Sequence, residues 1–82
     1  MITQLYVIYD RIAQECGPIF EAKNDGVAFR MYRDLIQSKE KDPNFTQEEY
    51  ICYRISSFDR ETMVLTPERE PTLLMIGTEV EV

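Results

Sequence analysis

Apolar residues dominate the first nine positions, and they alternate from one side of the chain to the other. Leu5, Val7 and Tyr9 fall on one side of an extended strand, and Tyr6 and Ile8 fall on the other. Because both sides are apolar, this segment predicts a central strand that is covered on both faces.

A break and a second short apolar run follow this strand. Residues 10–17 show no clear period and end at Gly17-Pro18, a dipeptide that is typical of turns. The next run, residues 19–22, has the length of a short strand and lies close enough to the first strand to pair with it as a hairpin.

The segment that begins at Asn24 has the period of an amphipathic helix. Asn24 is a typical N-cap residue, and Asp25 places negative charge in the first turn, which the helix dipole favours. The apolar arc spans about half of the helix or more, and its members are Val27, Ala28, Phe29, Met31, Tyr32, Leu35 and Ile36. An arc this wide predicts a helix that packs on a sheet and keeps apolar surface for a partner subunit, which favours a homodimer.

The second half of the chain predicts a loop and another hairpin. Residues 38–49 are polar and contain Pro43, which favours a loop, with Phe45 as an anchor to the core. Residues 50–58 alternate as a strand does. Residues 59–66 then supply a turn and a returning strand, which completes the hairpin.

Beyond this hairpin the pattern weakens. Pro67 and Pro71 bracket a charged connector, and residues 66–82 predict either an edge strand or a flexible acidic tail. No repeat and no long linker divides the chain, so residues 1–82 predict a single small domain of the α+β class. One amphipathic helix packs on a mainly antiparallel sheet, in the order β-β-α-β-β with an extra C-terminal strand as an alternative.

The net charge of −6 is distributed unevenly. Residues 1–41 carry six basic and six acidic side chains, whereas residues 42–82 carry three basic and nine acidic ones, so the negative charge arises in the second half. An acidic chain argues against strong nonspecific binding to nucleic acid, which depends on neutralising phosphates. A local basic face in the first half is still compatible with the sequence.

Reactive and membrane-spanning segments are not indicated by the sequence. There is no histidine, which removes the commonest general base and metal ligand, and the three glycines form no phosphate-binding loop. We therefore expect no enzyme, no cofactor and no metal site. Cys16 and Cys52 are expected to be reduced thiols in a cytosolic setting, and no apolar run approaches the roughly 20 residues of a membrane span.

Six residues are candidates for contact with DNA: Lys23, Arg30, Arg33, Arg54, Tyr6 and Tyr50. The three cations at and near the predicted helix would form a phosphate-facing strip or, alternatively, an ordinary solvated face. The two tyrosines and Arg54 would share a sheet face if the strands pair suitably. Tyrosines there would stack on bases or, alternatively, belong to the core.

Several segments together are more specific than any of these features. They are a first strand that ends in Tyr9-Asp10, the strand exit Pro18–Asn24, the helical segment Ala28–Leu35 and the strand end Tyr53–Asp59. In this combination, over about residues 5–65, the chain resembles the small nonstructural protein of gokushovirus-type microviruses, members of the Microviridae.

The resemblance carries over no catalytic residues to this chain. The family is often equated with the microvirus protein C, which is associated with the switch from duplex synthesis to single-strand synthesis coupled to packaging. We therefore expect a phage accessory protein of the host cytoplasm that binds viral single-stranded DNA or the replication complex. The alternative is an acidic adaptor that binds a phage or host protein and does not contact DNA.

Overall fold

A computed structural model of the chain describes residues 1–39 and 50–76. Within these residues, one helix lies against a five-stranded antiparallel sheet, which confirms the predicted α+β class. The elements are β1 (Ile2–Asp10), β2 (Glu15–Cys16), β3 (Phe20–Ala22), α1 (Asp25–Lys39), β4 (Tyr50–Asp59) and β5 (Leu65–Ile76). The expected loop anchor Phe45 and the last part of the expected tail, residues 77–82, lie outside the described residues.

Strand β1 is central, as its apolar pattern predicted. One edge of β1 pairs with β4 along its length, and the other edge pairs with β3 and β2 in turn. Strand β5 pairs with the outer side of β4. The order therefore fits the prediction roughly, with the two-residue strand β2 added inside the expected connector.

The two faces of the sheet differ in what covers them. Tyr6 pairs with Arg54 on the face beneath α1, which we call the covered face. Val7 pairs with Tyr53 on the opposite face, which we call the open face. The sequence predicted cover on both faces of β1, whereas the described residues include a single helix, which can lie on only one of them.

The core lies between α1 and the covered face. Three helical residues spaced by four, Ala28, Tyr32 and Ile36, are completely buried, so the buried stripe is narrower than the apolar arc. Met31 on the flank of this stripe is 43% exposed. The buried cluster consists of Tyr6, Ala22, Ala28, Tyr32, Ile36 and Cys52.

The helix starts where its capping residue predicted. The side-chain oxygen Oδ1 of Asn24 accepts a hydrogen bond of 3.0 Å from the amide of Val27, and its carbonyl accepts one of 3.1 Å from Ala28. Asp25 occupies the first turn and Lys39 the last, which suits the helix dipole at both ends.

Two turns of the same construction close the two hairpins. The carboxylates of Asp10 and Asp59 each accept hydrogen bonds from the amides two and three residues further on. Their carbonyls each accept a bond of 2.8 Å from the fourth residue, Gln14 or Met63. Both of these residues adopt a positive φ, 58° and 65°.

Strand β5 forms one edge of the sheet and contains an irregular stretch. Pro67 pairs with Ser56, and Thr72 pairs with Arg54. The four residues 68–71 of β5 therefore lie opposite a single residue of β4. This bulge includes the charged segment that was expected as a connector. It carries Glu68 towards the covered face, where it meets Arg54.

Candidate functional site

The structure divides the six candidate residues between two layers. Lys23, Arg30 and Arg33 lie at the start of α1 and along it, and we call this set the basic helix face. Lys23 and Arg30 are exposed, and Arg33 is half-buried. Arg30 and Arg33 are three residues apart, so they are neighbours on the helix surface.

The basic helix face retains its positive charge. In the part of the chain that the structure describes, no carboxylate lies within ion-pair distance of Lys23, Arg30 or Arg33. An unpaired guanidinium at the surface can meet a phosphate without first giving up a carboxylate partner.

Tyr6 belongs to the core and not to a binding surface. Its side chain has no exposed area, and its ring stacks on Phe20 with the centroids 5.5 Å apart. Its hydroxyl donates a hydrogen bond of 2.8 Å to Asp25. Burial, and then this bond, raises the pKa of Tyr6 far above its ordinary value. A base cannot stack on a ring without an exposed face, so the structure removes Tyr6 from the candidate DNA contacts.

Arg54 holds two elements together. Its guanidinium donates to Asp25 Oδ2 and to Glu68 Oε1, each at 2.6 Å, and its side chain is 26% exposed. The hydrogen bonds to Glu68 and then to Asp25 raise the pKa of Arg54. Glu68 also accepts a bond of 2.5 Å from the hydroxyl of Thr72. Arg54 therefore joins the start of α1 to β5, and two carboxylates already accept hydrogen bonds from its Nε and Nη1.

Tyr50 lies at the margin of the core. Its side chain is half-buried and packs against the buried cluster, while its carbonyl accepts a hydrogen bond of 2.5 Å from the hydroxyl of Tyr32. The predicted sharing of one face by Tyr6, Tyr50 and Arg54 is found, because Tyr50 pairs with Asp10 in the same register. That face is the one that α1 covers.

A polar cleft of about 600 Å³ opens beside the start of α1. Lys23 and Arg54 oppose Asp25 and Glu68 there, so the charges of these four side chains cancel. A cleft without net charge gives an anion little electrostatic attraction. Its lining residues are Gln4, Lys23, Asn24, Asp25, Gly26, Arg54 and Glu68.

An apolar groove of about 600 Å³ lies on the open face. Sequence reasoning did not single it out, because alternation alone does not show which side of a strand the helix will leave uncovered. The strand pattern of β1 and β4 was nevertheless a signal for it. Its lining residues are Val7, Tyr9, Cys16, Tyr53, Ile55, Glu70 and Pro71.

Both cysteines are free thiols, one on each face of the sheet. Cys52 is completely buried, and burial raises the pKa of its thiol to about 11. Cys16 is exposed. Within residues 1–39 and 50–76, no three His, Cys, Asp or Glu side chains are grouped so as to hold a metal ion. The described helix is too short and too polar to cross a membrane.

Comparison with known proteins gives one result for nearly the whole chain. Residues 3–80 match the model of a family described as Phage ORF5 protein. No curated protein and no solved structure matches the chain.

Proposed function

Because the chain belongs to the Phage ORF5 protein family, we propose that it is a phage accessory protein that regulates the synthesis or packaging of viral single-stranded DNA. It acts by binding the DNA or the replication complex. In this proposal the phage is a microvirus of the gokushovirus type, and the protein has the role of the microvirus protein C.

The unpaired cations of the basic helix face are the observation that supports DNA contact best. Arg54 and Arg60 are engaged by carboxylates, whereas Arg30 and Arg33 have no such partner in the described chain. Lys23 lies at the start of α1, in the cleft whose four charges cancel. These side chains can therefore neutralise phosphates without a rearrangement of the fold.

The expected mode of binding is weak and electrostatic. Three phosphate contacts on a single strand give a slope of about −2 in log K against log salt. The net charge of −6 opposes tight binding to duplex DNA. The protein therefore acts at high local concentration, as a component of the replication complex.

The proposal assigns no chemical step to the chain. The absence of histidine from the sequence leaves no side chain that ordinarily changes its charge near neutral pH. The protein accordingly works through its surfaces, without a metal or cofactor, in the host cytoplasm.

A second candidate function is that of an acidic adaptor. It is favoured by the excess of acidic residues in the second half of the chain, which suits a basic phage or host protein. An adaptor of this kind would not bind DNA, and the two candidates therefore differ in one measurable property.

Fluorescence anisotropy with labelled single-stranded and duplex DNA, at several salt concentrations, separates the two candidates. The double variant Arg30→Glu with Arg33→Glu is compared with Arg60→Glu with Arg69→Glu. Each double exchange changes the net charge from −6 to −10, because each Arg→Glu contributes −2. Circular dichroism checks that both variants are folded.

We expect the wild type to prefer single strands, and we expect the helix variant to lose at least about tenfold in affinity. The control should lose much less, although its overall charge is the same. Equal losses would show that only net charge matters and would remove the basic helix face from the proposal. No binding of the wild type at low salt would favour the adaptor.

A further inference from the structure

The open face of the sheet is lined by apolar side chains. Its cross-strand pairs are Val7 with Tyr53, Tyr9 with Ile51, Tyr53 with Leu73 and Phe58 with Leu65, and Leu5 lies on the same side as Val7 by alternation along β1. Leu65 and Leu73 on the edge strand β5 are 55% and 49% exposed, whereas Val7 and Ile51 at the centre are already buried, at 6% and 7%. Within residues 1–39 and 50–76, no helix lies on this face. Contiguous apolar surface on a small protein is characteristic of an interaction site.

The dimensions of the open face are those of a protein interface. The sheet is four strand positions wide, because β2 and β3 share one edge of β1. At about 4.8 Å between strands and 3.3 Å per residue, it measures roughly 20 Å by 30 Å, or about 600 Å² in projection. A standard interface buries about 800 Å² on each partner, which is of the same order as the whole face.

The charges near this face exclude a polyanionic partner. The carboxylates of Glu21 and Glu70 flank it, and the centre carries no lysine or arginine within the described chain. Glu21 is itself engaged, because it accepts a hydrogen bond from Thr3 and lies 3.8 Å from Arg60. Neither nucleic acid nor an anionic lipid surface suits such a face. A core without charge that contains aromatic residues is typical of homodimers.

We propose that a second copy of this chain packs on the open face, so that the two sheets face each other across a two-fold axis. A two-fold interface needs one surface that is complementary to itself, and an uncharged apolar sheet meets that condition. Sheets of this kind pack about 10 Å apart with strands within about 30° of each other. An 82-residue chain also gains stability from the added burial.

This interface differs from the one that the width of the helical arc favoured. On α1, Met31 is the only large apolar side chain that is exposed. One isolated exposed methionine is ordinary for a protein surface. The open face, in contrast, carries its apolar side chains side by side. The inference is independent of whether the basic helix face binds DNA.

Sedimentation velocity of the full chain, from about 1 μM to about 500 μM, tests the proposal with two matched variants. Leu73→Glu places a charge on the open face, and Met31→Glu places one on α1. The two residues are 49% and 43% exposed, so both substitutions are tolerated in the folded monomer. We expect a wild-type dimer whose dissociation constant rises at least about 30-fold in Leu73→Glu and stays nearly unchanged in Met31→Glu.

A thiol measurement reports on the same interface without a substitution. Cys16 lines the groove of the open face, so its reaction with a thiol reagent should slow as the wild-type protein associates. In Leu73→Glu the rate should not depend on protein concentration. A wild type that is monomeric throughout the range would overturn the proposal. Dissociation by Met31→Glu instead of Leu73→Glu would move the interface to the helix and overturn it equally.

Discussion

The covered and open faces of the sheet are built from the same strands by the same alternation, yet they differ in what they contribute. On the covered face, Tyr6 and Cys52 are completely buried, and the polar groups there are joined by hydrogen bonds. On the open face, Val7 and Ile51 at the centre are also buried, whereas Leu65 and Leu73 on the edge strand are about half exposed. The one helix of the described residues covers only one of the two faces. The other face keeps apolar side chains of its edge strand partly exposed.

The two faces also differ in the charged side chains that they carry. Arg54 lies on the covered face and satisfies two carboxylates from different elements. Among the residues that the structure describes, the centre of the open face has no charged group that would need a partner. The covered face therefore depends on paired charges for its stability, whereas the open face excludes charge, which suits a surface that becomes dry on association.

Truncation of one apolar side chain on each face gives the largest expected difference. Ile36→Ala removes buried atoms beneath the sheet and should lower the free energy of unfolding by about 2–5 kcal/mol. Leu65→Ala, at a position that is 55% exposed, should cost less than about 1 kcal/mol. Urea denaturation at low protein concentration measures both. Equal losses would mean that the open face is as much a core as the covered one.

The structural features that were predicted correctly from the sequence depend on residues that are close together in the chain. The helix start was predictable because Asn24 caps an amide only three positions away. The central strand was predictable because an apolar pattern on both sides demands it. Strand β2 was missed, since two residues, Glu15 and Cys16, are too few to show a period.

The contacts that the sequence did not predict join residues that are far apart in the chain. Arg54 meets Asp25 across 29 positions and Glu68 across 14 positions, and no local spacing indicates either contact. The six candidate residues lie in two different layers of the structure for the same reason. The cations of the helix were placed correctly by their period, whereas the burial of Tyr6 depends on which face α1 covers.

The next largest loss of stability is expected when the charged network of the covered face is broken. Arg54→Met leaves the carboxylates of Asp25 and Glu68 without their common partner and should cost about 1–2 kcal/mol. Arg60→Met breaks an exposed contact of 3.8 Å and should cost less than about 0.5 kcal/mol. Chemical denaturation at pH 7 compares them. Indistinguishable midpoints would show that Arg54 contributes no more than a surface arginine.

Acid should weaken the same network to a smaller degree. The hydroxyl of Thr72, and then Arg54, lowers the pKa of Glu68 below its ordinary value of 4.5. Its contribution to stability is therefore complete above that value and is lost as the pH falls through the lower pKa of the folded state. Thermal unfolding between pH 7 and pH 3 should show this loss, and Glu68→Gln should flatten the curve. An equally steep curve for the variant would assign the acid sensitivity to other carboxylates, such as Asp59.

The prediction with the smallest expected effect needs no substitution, because each face already carries one cysteine thiol. At low protein concentration and neutral pH, Cys16 should react readily with a thiol reagent, since it is exposed. Cys52 should react only when the protein opens, because burial removes access and raises the pKa of its thiol to about 11, which leaves almost no thiolate. Rapid reaction of one thiol, with the second released by denaturant, is the expected result. Rapid reaction of both would mean that α1 leaves the covered face often, and the contrast between the two faces would then hold only on average.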